Sequence, residues 1–470
     1  MMRRVGDDSR RLGAGEIWVL LTALGGVVLI GLVELGSAPW PFRPPSVEPT
    51  GPLAFLVSAA GERWDPAVLR AGATVAGMLV VVAAVVATAG RRWRPWMAIA
   101  LATAVLALLL VPGVLLQAGL RQSTAPWFHV NDSTYQIELA GDLLLSGDNP
   151  YGHDYRFSGL ERFYSYDGTV TSQTREEQVA LRHFAYFPGT PLSAAVWELL
   201  PEPWDDYRFL VALATLAALP AALFFPGPLG WRLALGAVVA GNPLAIRAVW
   251  LGQADAPSIL CLLIAFGLAA RSRFAAGAAV LGAAVLLKQF ALVAVPFFVA
   301  IMLWRAQRER LRGAALAFAA VVLVGSIPFV IADLGALLDD TITYGGATYR
   351  IIGYGLAPLL LQAGVLESRT GFYPFFALVL LVWLPVTAWL VRAHVRSREL
   401  WTAAAGFAAS IFLLFFLGRV FQQSYLIWPL VGMAMACLLA AVGSRGGARV
   451  ASTAERAEGA PESVSGASGA

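Results

Sequence analysis

Apolar and polar positions along this chain separate into long hydrophobic stretches joined by short charged turns. The apolar runs occupy 16–35, 68–89, 96–118, 207–225, 233–251, 255–270, 274–288, 290–304, 313–333, 372–391, 400–418 and 424–442. A helix that crosses a bilayer takes about 20 such residues. Hydrocarbon offers no partner to a backbone N–H or C=O, so a run of this kind is expected to be helical. The pattern predicts an all-α, polytopic membrane protein of twelve transmembrane helices. The runs 274–288 and 290–304 are short and read as a bent or tilted hairpin.

The charged turns orient the helices. Arginines cluster at 3–4 and 10–11, at 91–94, at 271–273, at 305–312, at 392–398 and at 445–449. With both termini in the cytoplasm, every one of these clusters falls inside, as basic loops should. Three longer loops, 36–67, 119–206 and 334–371, then lie outside. Arg10 and Arg11 before the first run imitate an export signal, but that run is long and no small-residue cleavage site follows, so it reads as an uncleaved anchor. Residues 1–442 read as one multispanning domain. The stretch 443–470, rich in Gly, Ala, Ser and Glu, is expected to be a disordered cytoplasmic tail.

Composition supports this picture. Of 470 residues, 58% are hydrophobic and 14% charged, far from the soluble average. The net charge of +4 is used by the cytoplasmic turns, and no basic run interleaved with aromatics outside them points to nucleic acid. Cys261 and Cys437 sit in separate apolar runs and read as packing residues. No internal repeat is visible, which argues against an inverted-repeat transporter.

Polar chemistry gathers in the second outer loop, 119–206. It carries 13 of the 30 acidic residues and three of the four histidines, His129, His153 and His183. His129-Val-Asn-Asp-Ser-Thr-Tyr135 opens a helical pattern with Asn131 or Asp132 as cap. Asp132, Leu139 and Leu143 share one stripe and Glu138, Asp142 and Ser146 another. The helix is expected to lie on the membrane surface, with Glu138 and Asp142 in solvent, and to end at the turn Ser146-Gly147-Asp148-Asn149-Pro150-Tyr151. Asp132 points along the apolar stripe. It serves either as a cap or, partly desolvated, as a general base. Arg182-His183-Phe184-Ala185-Tyr186-Phe187-Pro188 leads into a short apolar segment, 189–201, that is expected to lie on the membrane rather than cross it. Tyr186 and Phe187 belong either to the interfacial aromatic belt or to a substrate site.

Further polar residues stand at the outer ends of apolar runs, a depth where they usually line a cavity. They are Asn242-Pro243, Arg247, Gly252-Gln253-Ala254-Asp255, Lys288, Arg350 and Arg419. Lys288 is the only lysine among 34 basic residues. A compact ammonium on a flexible stem suits a phosphate. The alternative is a side chain snorkelling to the interface.

The ordered set Asp132-Ser-Thr-Tyr135, Gly147-Asp-Asn-Pro150-Tyr151, Tyr186-Phe-Pro188, Asn242-Pro243, Gly252-Gln253 and Gly277-x4-Gly282-x5-Lys288 resembles the actinobacterial polyprenyl-phosphate-mannose-dependent mannosyltransferases, a branch of the multispanning C-superfamily glycosyltransferases. The likeness covers roughly 125–305. Here Tyr186-Phe187-Pro188 stands in place of the family's Tyr-Pro-Pro, and two extra spans precede the loop that carries Asp132. The resemblance implies a bacterial plasma-membrane enzyme with an extracytoplasmic site. It would move a sugar, mannose first, from a polyprenyl phosphate to a cell-envelope glycolipid or polysaccharide. It maps the catalytic base onto Asp132. Lys288, with Arg247, Arg350 or Arg419, is expected at the donor phosphate. Tyr135, His183, Tyr186 and Gln253 are expected at sugar or acceptor. No cofactor or metal cage is expected, although a hydrated divalent ion remains compatible with the sequence. Alternatives are a flippase of a lipid-linked sugar, or a transferase for another sugar such as arabinofuranose.

Overall fold

The structure, a computed structural model, describes residues 95–122, 129–163, 177–304 and 308–458, with a few isolated positions between 53 and 82. The runs 16–35 and 68–89 and the loop 36–67 fall outside the described residues apart from those positions. Each of the other ten apolar runs is helical, and the chain is a helical membrane protein. In chain order the helices are α1 Pro95–Gln122, α2 Asp132–Leu145, α3 Gly189–Trp197, α4 Tyr207–Ala222, α5 Leu229–Gly241, α6 Pro243–Leu251, α7 Ala256–Ala270, α8 Phe274–Leu287 and α9 Val295–Trp304. They continue with α10 Arg308–Leu338, α11 Leu356–Gln362, α12 Phe375–Ser397, α13 Leu400–Leu417 and α14 Ile427–Glu458.

Five helical segments are long and apolar enough to cross a membrane: Trp96–Gln122, Glu309–Thr348, Phe375–Ser397, Leu400–Leu417 and Gln423–Val442. A sixth arises if α5 and α6, bent by 47°, count as one span. The bend has a cause in sequence. Pro243 cannot donate to the preceding turn, and Asn242 Oδ1 takes the Ala245 N–H at 3.0 Å and caps a new helix. The helices α4, α7, α8 and Gln289–Leu303 are apolar but shorter. A 14-residue helix such as α8 reaches only about 21 Å at 1.5 Å per residue, short of the hydrocarbon thickness of about 30 Å.

The core of the bundle closes around Trp428, Phe266, Phe297 and Phe407, all fully buried. Small residues let the helices approach, as is usual in membranes. A Cβ on Gly406 would stand 2.5 Å from the Phe297 ring. By contrast α10 and α12 expose Leu316, Val324, Ile331, Leu381 and Trp389, the surface expected of helices against lipid.

Two short helices cover one end of the bundle. In α2, Asn131 is the cap, its Oδ1 accepting the Ser133 N–H at 2.9 Å, and Ser146 closes the helix. The nine residues of α3 are too few to cross a membrane, and α3 packs on α2. The start of α2 is fastened to the end of α6. Asn131 N–H donates to the Leu251 carbonyl at 3.0 Å, and the Thr134 hydroxyl donates to the Gly252 carbonyl. Gly252 has φ +79°, and a Cβ there would lie 2.6 Å from Thr134 Oγ1 and 2.7 Å from Arg208 Cγ. Gly252→Ala is therefore expected to cost about 1–3 kcal/mol. Thermal unfolding in detergent measures this, and an unchanged midpoint would contradict it.

Glu138 is not in solvent. Its carboxylate lies 2.6 Å from Arg121 and accepts the Tyr207 N–H at 3.0 Å. Arg121 also reaches Asp206 at 3.1 Å, and Asp206 accepts Arg208 Nε at 2.8 Å. This buried network ties α1, α2 and α4 together. The α14 helix runs on to Glu458, into the stretch from Gly443 expected to be an unstructured tail; residues 459–470 lie outside the described residues.

The segment 349–371 is clasped to the chain entering α14. Ile352–Gly353 (β1) pairs in parallel with Val420–Phe421 (β2). Buried Arg419 donates through Nε to the Tyr349 carbonyl at 2.6 Å and through Nη1 to the Gly371 carbonyl at 3.1 Å. Its third nitrogen lies 3.5 Å from the Arg369 carbonyl. Arg419, expected at a phosphate, instead spends its guanidinium on loop carbonyls.

Candidate functional site

Asp132 occupies the first turn of α2, half-buried, where the helix dipole favours a negative charge. Its Oδ1 accepts the Ser133 N–H at 2.8 Å. Four phenols from separate parts of the chain lie within its electrostatic reach: Tyr186, Tyr344, Tyr349 and Tyr425. Ser133 hydrogen-bonds Tyr186. Burial raises the Tyr186 and Tyr349 phenols, and the Asp132 carboxylate pushes both further up. Neutral phenols facing a carboxylate are hydrogen-bond donors with apolar faces, a combination suited to a polyol.

Tyr186 links Asp132 to Lys288. Its ring stands 4.5 Å from Lys288 Nζ, within cation–π range. The Tyr186 loop is held in place from two sides. Tyr151 OH donates to the Tyr186 carbonyl at 2.8 Å. Gln289 Nε2 donates to Ala185 C=O at 3.0 Å, and the Thr190 hydroxyl donates to the Leu287 carbonyl. The chain breaks from α8 at Lys288, which has extended backbone, and that break turns the ammonium inward. Lys288 is 6% exposed, so it does not snorkel. It lies 3.5 Å from Asp255 Oδ1, which also accepts Trp428 Nε1–H at 2.9 Å. The ammonium is thus fixed in direction by the Asp255 carboxylate and by two rings, Tyr186 and Phe290, the latter 5.5 Å away.

Arg247 donates to Gln423 Oε1, while its buried Nε has no hydrogen-bond partner among the described residues. Of the expected phosphate ligands it keeps the clearest unfilled donor. Arg350 lies beside the Tyr349 phenol and hydrogen-bonds it. Gln253 is half-buried between Gly252 and Asp255, its N–H donating to Ala248 at 2.8 Å. Tyr135 faces elsewhere. Its hydroxyl donates to the Ser158 carbonyl at 2.7 Å, and it lines a cavity with Arg121 and Glu138, apart from the Tyr186–Lys288 contact. His183 is drawn to Asp340, Nδ1 to Oδ1 at 2.7 Å, and stacks on Tyr344.

Tyr344, Tyr349, Tyr425 and Asp340 had no local signal in sequence. They reach the site because the segments 339–349 and 423–426 come within electrostatic reach of Asp132 at the start of α2. Asp255 stood within the Gly252-Gln253-Ala254-Asp255 group, and its ionisable side chain at the start of α7 was the available cue.

A cavity of about 510 Å³ lies between the ends of α1, α2 and α3 and is lined by Arg121, Tyr135, Glu138, Asp142, Glu198 and Asp206 among others. Burial, with Asp142 next to it, pushes the Glu198 carboxyl up to about 9. A carboxyl raised in the folded state stabilises fully below its ordinary 4.5 and loses that contribution as pH rises toward 9. Glu198→Gln is expected to leave the melting temperature at pH 4.5 unchanged and to raise it at pH 8.5. Parallel curves at both values would show that the carboxyl is not held neutral.

No family model matches the chain, and neither the curated proteins nor the solved structures give a significant match. Fold and site together define a helical membrane protein with a carboxylate, a buried ammonium and four tyrosines gathered at one node.

Proposed function

We propose that this chain is a membrane glycosyltransferase. It moves a sugar, mannose in the first instance, from a polyprenyl monophosphate to a hydroxyl of a cell-envelope glycolipid or polysaccharide. The observation that carries the reading is convergence. Asp132, Tyr186 and Lys288, scattered in sequence, are brought together by one ring: Asp132 and Ser133 act on the Tyr186 phenol and Lys288 stands over its face, while Thr134 seats the start of α2 on Gly252.

In the proposed reaction Asp132 takes the proton of the acceptor hydroxyl. That oxygen bonds to the anomeric carbon as the carbon–oxygen bond to phosphate breaks, and the electron pair leaves on the lipid phosphate. Attack opposite the leaving group inverts the anomeric configuration. Lys288, Arg247 and Arg350 supply positive charge for the departing phosphate. The phenols around Asp132 and the half-buried Gln253 offer donors to sugar hydroxyls. Twelve spans, both termini in the cytoplasm and an outer-face site in a bacterial plasma membrane belong to the same reading. A lipid donor anchored in the bilayer calls for a site at a membrane surface, and the short α2 and α3 provide one.

Purified protein incubated with radiolabelled polyprenyl-phosphate-mannose and a membrane-lipid extract tests this. Labelled product distinct from the donor supports it. Absence of transfer from the mannose and arabinofuranose donors, in an extract that supports a known transferase, overturns it.

A further inference from the structure

We propose that His183, Asp339 and Asp340 form a binding site for one divalent transition-metal cation of the Mn²⁺ or Zn²⁺ type. The site is built from two segments far apart in sequence. His183 comes from the loop before Tyr186. The two aspartates open the π-helix Asp339–Thr348 that continues α10. Such helices are rare and collect at functional sites.

His183 Nδ1 stands 2.7 Å from Asp340 Oδ1 and 3.7 Å from Asp339 Oδ2. One donor atom from each of the three side chains falls within 4.8 Å of the others. Asp340 is 1% exposed, and its Oδ2 accepts the Gly152 N–H at 2.9 Å. Among the described residues, His183 is the only basic side chain within 4 Å of either carboxylate. Two carboxylates, one of them fully buried, therefore face one positive charge at most. A buried charge without compensation costs several kcal/mol in effect, and a divalent ion between the three atoms supplies what is missing.

The donor chemistry narrows the ion. Imidazole nitrogen with two carboxylates suits Zn²⁺ and Mn²⁺, whereas Ca²⁺ and Mg²⁺ prefer oxygen alone. The imidazole is fixed in orientation: it stacks on Tyr344 at 4.6 Å and 20°, and the His183 backbone carbonyl accepts Gln136 Nε2 at 2.9 Å. Asp339 is 55% exposed, which leaves a path for the ion and room for further ligands. Three protein ligands with open positions resemble a reactive rather than a closed structural site. Tyr344 is shared with Asp132, so the ion would sit one ring away from the proposed base.

The test is binding itself and involves no sugar. The full chain in detergent, stripped with chelator, is titrated with MnCl₂, and free Mn²⁺ is read by electron paramagnetic resonance. We expect one tight Mn²⁺ per chain, displaced by Zn²⁺, which binds such sites more strongly. Asp339→Asn is the decisive variant, because that side chain is exposed and makes no hydrogen bond to Gly152. It should weaken Mn²⁺ binding by roughly 10–100-fold while the helical circular dichroism stays unchanged. His183→Gln should do the same. A wild-type chain without stoichiometric binding overturns the proposal: His183 then simply donates its Nδ1 proton to Asp340. Wild-type affinity in Asp339→Asn also overturns it and directs attention to the acidic cavity around Glu198.

Discussion

Asp132→Asn is expected to lower sugar transfer by about 10²–10⁴-fold, the usual worth of a positioned general base. The substitution keeps the shape of the side chain. An amide oxygen can still accept the Ser133 N–H, now at 2.8 Å. Asn131 remains the helix cap, and the Leu251 and Gly252 contacts do not involve the carboxylate. The variant should therefore fold, keep its melting temperature and still bind the polyprenyl phosphate. Only the capacity to accept the acceptor's proton is removed. Transfer measured on wild type and variant side by side decides the matter. Equal rates would return Asp132 to a purely structural place at the helix start.

The second large effect belongs to Lys288. Lys288→Met removes the ammonium from a site where Asp255 is 4% exposed and leaves that carboxylate buried with, among the described residues, only Trp428 as side-chain donor. Breaking one side of a buried pair costs about 3–5 kcal/mol, read from denaturant unfolding in detergent. Adding Asp255→Asn removes the stranded charge, keeps an oxygen for Trp428 Nε1, and should recover most of that loss. The double variant then separates two roles. If Lys288 serves the donor phosphate, stability returns and transfer does not. If transfer returns with stability, Lys288 acts through packing alone. A double variant no more stable than Lys288→Met would mean that the two side chains are not energetically coupled.

Helices were legible in this sequence because their cause is local. Ten of the apolar runs are helical among the described residues, and 233–251 divides into two helices. Asn131 and Ser146 bound α2 because their side chains and backbone settle the helix ends without help from elsewhere. Span lengths were less legible. The run 233–251 reads as one stretch, yet Asn242-Pro243 bends it by 47°, and the run 274–288 stops short where Lys288 turns inward toward Asp255. The site was legible where side chains meet within a few residues of a motif, as Tyr186 and Lys288 do. It was not where burial depends on distant partners. Glu138 lies on the polar stripe of α2, but Arg121 and the start of α4 cover it, while Asp142 on the same stripe is exposed as expected. Arg419 looks like a free cation beside an outer loop, and only the fold shows three carbonyls around it.

The clasp at Arg419 bears on how a bulky lipid could enter and leave. That one guanidinium and the β1–β2 bridge bind segment 349–371 to the entrance of α14, which ties Tyr349 and Arg350 to the last helix. On the proposed function, a gate admitting the lipid donor would swing on the other side of the node. The backbone there offers a pivot at Asp333, where φ −165° and ψ 97° interrupt the helix before the Asp339–Thr348 segment. Motion about that hinge would carry Tyr344 and Asp340 away from Asp132 while Tyr349 stayed put. On the proposed function, admission and chemistry would thus be governed by two separate segments around Asp132, one swinging and one anchored.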